Sequence, residues 1–309
     1  MKILITGGAG FVGSTLVPIL LQKGFDVTVV DNLMYYQDSL LGNALNKNFN
    51  FILGDVRDEA TIKPAVENAD VIIHLAAIVG EPACRIRPDL AKSVNLEASK
   101  LINDIRRKDQ TIIFASTGSN YGKVEGICTE ETPLNPLSLY GITKTAAEKN
   151  FLEKGNCIAY RFATGFGISP RLRLDLLPND FVHKAIHERL IVVYEKDFKR
   201  TFIHVRDMAK AFAFALEHIT EMKDNIFNVG HESMNLSKET LVNKIKEKAD
   251  FHAHFAPVGH DPDQRDYEVS YEKIRKAGFI TDISIDEGVG ELVKAFKMKR
   301  TSNPYSNLI

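Results

Sequence analysis

Short apolar runs and longer amphipathic stretches alternate along the first 165 or so residues. The runs are "KILIT" (2–6), "DVTVVD" (26–31), "FNFILGD" (49–55), "DVIIHLAA" (70–77), "TIIFAS" (111–116) and "CIAYRFA" (157–163). Each is rich in β-branched residues and apolar almost throughout, which suits strands covered on both faces in a parallel sheet. Between them, residues near 11–23, 60–68, 89–108 and 138–154 carry apolar side chains at helical spacing. Strand–helix alternation of this kind predicts a doubly wound α/β sheet.

After residue 165 the pattern loosens. A basic, Pro-bounded segment "GISPRLRLDLLP" precedes a predicted helix near 179–189 and a short strand "LIVVYE". Then come "RTFIHVRDMAKAFAFALEHI", "NIFNVG" and a run of helices to about 298. The expectation is a sheet domain of residues 1–168 and 199–230, the latter segment returning to the sheet. A smaller mixed α/β lobe takes 169–198 and 231–309. The "AFAFAL" stripe reads as core and "NKIKEKAD" as a solvated helix face.

A chain of 309 residues with 44% apolar and 26% charged residues can bury a large core. Its net charge of −1, with acids and bases interleaved, offers no field to draw nucleic acid or an anionic membrane. Cys84, Cys128 and Cys157 show neither metal-ligand nor paired spacing and read as free thiols of a reducing compartment. "KILIT" is too short for a signal peptide and no run reaches transmembrane length, so a cytoplasmic, enzyme-sized protein is expected. His252, His254 and His260 lack the carboxylates or thiolates that would complete a metal site, and no metal is expected. His74 and His204 read as satisfied strand histidines.

Candidate chemistry begins where the first run meets "TGGAGFVGS". Gly7, Gly10 and Gly13 allow a tight turn and a close backbone approach to a pyrophosphate, which the following helix N-terminus would face. Asp31 ends the second run, 18 residues past Gly13, where a carboxylate can accept hydrogen bonds from ribose hydroxyls and repel a 2′-phosphate. NAD is therefore favoured over NADP. Asp55, the "LAA" of 75–77, Ser116, Thr117 and Thr164 also follow strand C-termini, where ligands of open α/β sheets bind.

In "SLYGITK", Tyr140 and Lys144 are four residues apart, on one face of the helix expected at 138–154. An ordinary solvated helix face explains such a pair in many proteins. Beside a nicotinamide site it suits a proton-transfer couple. Bringing a tyrosine from about 10 towards 7 takes about 4 kcal/mol, which an adjacent ammonium and a cationic ring can supply in a desolvated cleft. The Thr117 hydroxyl is placed to orient the substrate oxygen.

Taken in order, "TGGAGFVG", "DN" at 31–32, "GDVRD", "HLAA", Asn95, "ASTGSNYG", "YGITK" and "RTFIHVRDMAKAF" resemble the extended short-chain dehydrogenase/reductase family. The similarity is to its nucleotide-sugar epimerase/dehydratase branch and covers nearly the whole chain. It implies a Rossmann sheet holding NAD tightly, a lobe for a nucleoside-diphosphate sugar, and a homodimer through the helices near 89–108 and 138–154. By the same resemblance Thr117, Tyr140 and Lys144 are catalytic. Gly7, Gly10, Phe11, Val12, Gly13, Asp31, Asn32, Asp55, Val56, Leu75, Ala76, Ala77, Asn95 and Ser116 join Tyr140 and Lys144 at the cofactor. Val79, Thr117, Thr164, Asn179, Tyr194, Arg200 and Arg265 are implied at the substrate, the two arginines on its diphosphate.

Two departures narrow the reaction. The related 4,6-dehydratases carry an Asp-Glu pair after the catalytic Ser/Thr, where this chain has Gly118 and Ser119, so dehydration is disfavoured. The 3,5-epimerising members carry a cysteine near that loop. Cys84, in a loop expected to reach the sugar, keeps that route open. What remains is reversible oxidation of a carbinol, foremost the 4-position, by a 4-epimerase or 4-dehydrogenase of surface-polysaccharide sugar biosynthesis. Rivals are a carbonyl reductase of a non-nucleotide small molecule and a catalytically idle NAD-binding regulatory protein. Ser169, Arg171 and Arg173 fit the wall of the substrate cleft, and a surface loop nearly as well.

Overall fold

The computed structural model describes residues 1–259 and 266–298. Its first elements are β1 (Lys2–Thr6), α1 (Gly13–Gln22), β2 (Asp26–Asp31), β3 (Phe49–Leu53), α2 (Glu59–Glu67) and β4 (Val71–His74). There follow α3 (Glu81–Ile86), α4 (Pro88–Lys92), α5 (Ala98–Ile105), β5 (Thr111–Thr117), β6 (Lys123–Cys128) and α6 (Leu139–Lys154). Next are β7 (Cys157–Phe162), β8 (Thr164–Phe166), α7 (Leu177–His187), β9 (Leu190–Tyr194), β10 (Lys199–His204) and α8 (Val205–Glu217). The remainder is α9 (Ile219–Met222), β11 (Asn225–Val229), β12 (Asn235–Ser237), α10 (Lys238–Lys246), β13 (His252–Ala256), β14 (Asp266–Val269), α11 (Glu272–Lys276) and α12 (Ile285–Met298).

Seven strands form one parallel sheet in the order β11-β7-β5-β4-β1-β2-β3. Ile3, Leu4 and Ile5 of β1 are almost completely buried, as their unbroken apolar run requires. The chain winds outward from β1 to β3, then returns to place β4 on the other side of β1. That reversal opens a crevice at the carboxyl ends of β1 and β4. One apolar layer lies on each face of the sheet, and a third core fills the second lobe around Phe166, Phe181, Val193, Phe202, Leu241 and Val289.

Several elements differ from the sequence pattern. The 49–55 run forms an edge strand, half-buried, with Leu53 68% exposed, and among the described residues no strand covers its outer flank. The 89–108 stretch is broken into α4, a π-turn at Ser93–Glu97, and α5, which ends at Ile105. "GEPACRIR", read as loop, contains α3. Residues 199–230 divide: β11 pairs with β7 at the sheet edge, whereas β10 pairs with β8 and β12 in a separate three-stranded sheet. α6 is capped by Ser138, whose hydroxyl accepts the Gly141 N–H at 3.1 Å.

Candidate active site

A cleft of ≈ 1090 Å³ runs along the carboxyl ends of the central strands. Small-molecule pockets usually occupy about 300–1,000 Å³, so this one lies at the large end of that range. One end is the glycine turn after β1. Gly7 has φ +72°, and a Cβ there would stand 2.6 Å from the Ala76 backbone nitrogen. A Cβ on Gly13 would stand 2.5 Å from Gly8 Cα. Turn, loop and helix start are thus close-packed without side chains, leaving backbone facing the cleft.

Asp31 closes the turn from the side. Its carboxylate accepts the Ala9 N–H at 3.0 Å and the Leu33 N–H at 2.9 Å. Burial pushes its pKa up, against those bonds and the charge of Arg171. Further along, Asn32 donates to Asp55 at 3.0 Å. Hydrogen bonding from Arg57 holds the Asp55 carboxyl down at about 2. A pair of hydrogen-bonded carboxylates beside a bare backbone turn fits an adenosine ribose and a pyrophosphate.

The other end holds Thr117, at the tip of β5, with Tyr140 and Lys144 on α6. Thr117 Oγ1 accepts the Ser119 N–H and donates to Ser119 Oγ, both at 3.1 Å. Lys144 is 2% exposed, and its Nζ lies 3.9 Å from the Phe114 ring centroid. Burial lowers the amine to about 7, opposed by the Glu148 carboxylate one helical turn further on. Glu148 is itself held by Arg161 at 2.6 Å and by the Ser116 hydroxyl at 2.5 Å. One buried carboxylate therefore ties α6 to the end of β5.

All three of these residues line the cleft, with Gly7, Gly10, Phe11, Val12, Gly13, Asp31, Asn32, Asp55, Val56, Leu75, Ala76, Ala77, Val79, Ser116, Thr164 and Arg200. Three expected residues lie outside its lining. Asn95, in the π-turn, accepts the Ile78 N–H at 2.8 Å and donates to Ile78 C=O at 3.0 Å, holding the loop after β4 from behind. Asn179 is buried and spends its amide on the backbones of Gly167 and Arg173. Tyr194 belongs to the exposed face of β9, because the alternation along that strand turns Ile191 and Val193 inward. Arg265, His260 and the tail from 299 lie outside the described residues.

Cys84 is corrected. It is fully buried in α3, donates its thiol to Ile78 C=O at 3.3 Å, and is raised by burial to about 12. It does not reach the cleft, so it offers no acid for epimerisation at neighbouring carbons. His74 bridges Thr6 and Ser99 at 2.6 and 3.0 Å and is held neutral by burial, as expected of a satisfied strand histidine. Among the described residues no group of three or more His, Cys, Asp or Glu is arranged to hold a metal ion. No helix among them is long and apolar enough to cross a membrane.

Other cleft residues were undecided or missed. Arg171, Arg173 and Asp175 line the wall. The signal was the alternation Arg171-Leu172-Arg173-Leu174-Asp175: the leucines are 6% and 4% exposed in the third core, which turns the charged residues the other way. Tyr35, Arg57 and Glu81 carried no sequence signal, since each depends on how a loop folds back over the sheet.

Residues 3–230 match the family model described as the NAD-dependent epimerase/dehydratase family. A putative UDP-glucose 4-epimerase of Methanocaldococcus jannaschii is 28% identical over 96% of this chain and 98% of its own. A dTDP-glucose 4,6-dehydratase of Streptomyces niveus is 27% identical over 97% of this chain and 94% of its own. The crystal structure of Thermus thermophilus UDP-glucose 4-epimerase in complex with NAD superimposes with a TM-score of 0.84. It is 25% identical, covering 96% of this chain and 99% of that one. The chain belongs to the NAD-dependent epimerase/dehydratase family, and its glycine turn and Asp31 fit the cofactor that family uses.

Proposed function

We propose that this member of the NAD-dependent epimerase/dehydratase family is a 4-epimerase of a nucleoside-diphosphate sugar. The observation that carries the proposal is that Thr117, Tyr140 and Lys144, from two different elements, line one cleft with the glycine turn. NAD, when bound, supplies first the acceptor and then the donor of the hydride. Tyr140 removes the proton of the 4-hydroxyl and later returns it to the same oxygen, once the rotated sugar takes the hydride back on the other face of its carbon. Thr117 orients that oxygen. Lys144 supplies positive charge beside the phenol, and Glu148 favours the charged form of the amine.

Asp31, Asn32, Asp55 and Val56 take the adenosine, Val79 and Thr164 border the sugar, and Arg200 with Arg265 clamps the diphosphate. In this reading the seven-stranded sheet with α8 forms the cofactor lobe, and the three-stranded sheet with α7, α10 and α12 around the third core forms the substrate lobe. The epimerase names of the archaeal and Thermus relatives support the reaction type. Gly118 and Ser119, which offer no carboxylate where the related dehydratases carry an Asp-Glu pair, support the reading that dehydration is disfavoured. Exposed Leu137 and Ile142, before and on α6, support a homodimer through α5 and α6. The product would feed surface-polysaccharide synthesis.

The test is a panel of uridine, guanosine, cytidine and thymidine diphosphate sugars, with nicotinamide absorbance followed and products identified by mass and NMR. An isomerised sugar with no net absorbance change is expected. Accumulation of reduced cofactor with a keto-sugar makes the protein a 4-dehydrogenase instead. Tyr140→Phe should keep NAD and lose turnover at least about a hundredfold; near-normal turnover would sink the assignment.

A further inference from the structure

Two segments from different parts of the chain meet over the glycine turn. The first is the loop after β2. Its turn Leu33–Tyr36 is closed by the Tyr36 N–H on Leu33 C=O at 2.8 Å, with both end residues left-handed at φ +49° and +53°. Bulky side chains adopt that conformation only where the surroundings enforce it. Its effect is to throw Tyr36 outward, 94% exposed, and to leave Tyr35 lining the cleft. Two residues on from Gln37, Ser39 donates to Ala9 C=O at 2.7 Å, tying the loop to the turn.

The second segment is the start of the charged alternation. Ser169 donates to Phe11 C=O at 2.7 Å and lies 2.9 Å from the Ser14 hydroxyl, while the Arg171 N–H donates to Ser14 Oγ at 3.3 Å. The two segments touch where the Arg171 guanidinium lies 4.7 Å from the centroid of the Tyr35 ring. Arg171 is 5% exposed, so the contact is largely desolvated.

We infer that Tyr35 and Arg171 form a clasp across the cofactor channel that slows escape of the nicotinamide dinucleotide, reduced or oxidised. The inference rests on the proposed function and deepens it. A 4-epimerase must keep the reduced cofactor until the ketone has been turned and reduced, whereas a net dehydrogenase must let it go. A clasp beside the glycine turn, away from Thr117 and Tyr140, favours the first.

The test measures release directly. The full-length protein is loaded with reduced cofactor and mixed with excess NAD, and the decay of bound-cofactor fluorescence is followed. Tyr35→Ala should release roughly fivefold to thirtyfold faster, the size of a desolvated cation–π contact. Tyr35→Phe, which keeps the ring, should stay close to the wild-type rate. Arg171→Met should speed release as well, and the double variant should be no faster than the faster single. Release at the wild-type rate in Tyr35→Ala, equally fast release from Tyr35→Phe, or multiplied effects in the double variant would each overturn the clasp. Both tyrosine variants alter a surface loop, so they decide the matter even if Arg171→Met fails to fold. A wild type that holds no nicotinamide cofactor would sink the proposed function along with the clasp. Unchanged release from a loaded protein sinks the clasp alone.

Discussion

Replacing Lys144 by methionine should make the protein more stable and less active. The lysine is 2% exposed, and burial takes its pKa from 10.5 to about 7. At roughly 1.4 kcal/mol per pH unit, that fall amounts to about 5 kcal/mol. The unfolded chain keeps the proton up to about pH 10.5 and the folded one releases it near 7. Stability therefore rises with pH through that window, and the penalty is complete below it. Lys144→Met removes the penalty and fills similar volume. It also forfeits the contact with Phe114, worth about 1–2 kcal/mol for a desolvated cation. Net, the variant should gain about 3 kcal/mol near pH 6, with the advantage shrinking by about 1.4 kcal/mol per unit above pH 7. Urea unfolding of cofactor-free protein at a series of pH values measures this, alongside turnover. A difference independent of pH, or a wild type more stable near pH 6, would refute the reasoning.

Gly118→Asp should not install dehydration: its Cβ would stand 3.2 Å from the Tyr267 hydroxyl, a tight contact that should cost about 1–3 kcal/mol in unfolding free energy, and product mass should show no loss of water. Cys84→Ala should leave turnover within about twofold of wild type, because the thiol is buried, raised to about 12 and bonded to Ile78 C=O; a lost activity with intact folding would return the cysteine to the chemistry.

Strand positions were legible because parallel strands buried on both faces are unbroken apolar runs, and the glycine turn because few residues tolerate its backbone approach. The couple Tyr140–Lys144 was legible because a helix puts residues four apart on one face. The break in the 89–108 helix was hidden, since a π-turn shifts the helical register without altering composition. Asn95 and Asn179 lie outside the cleft lining because each is turned to a backbone partner that lies far away or off-period in the chain.

Local order was therefore written in the residues: which segments are strands, where the glycine turn lies, and which hydroxyl, phenol and amine line the cleft. The charge state of the amine, the sealing of Cys84 and Gly118, the turning of Arg171 and Arg173 into the cleft, and the meeting of Tyr35 with Arg171 belong to the folded molecule. Desolvation and steric exclusion depend on neighbours brought together from distant positions. Spacing along a chain measures only what its own helix or strand geometry sets side by side.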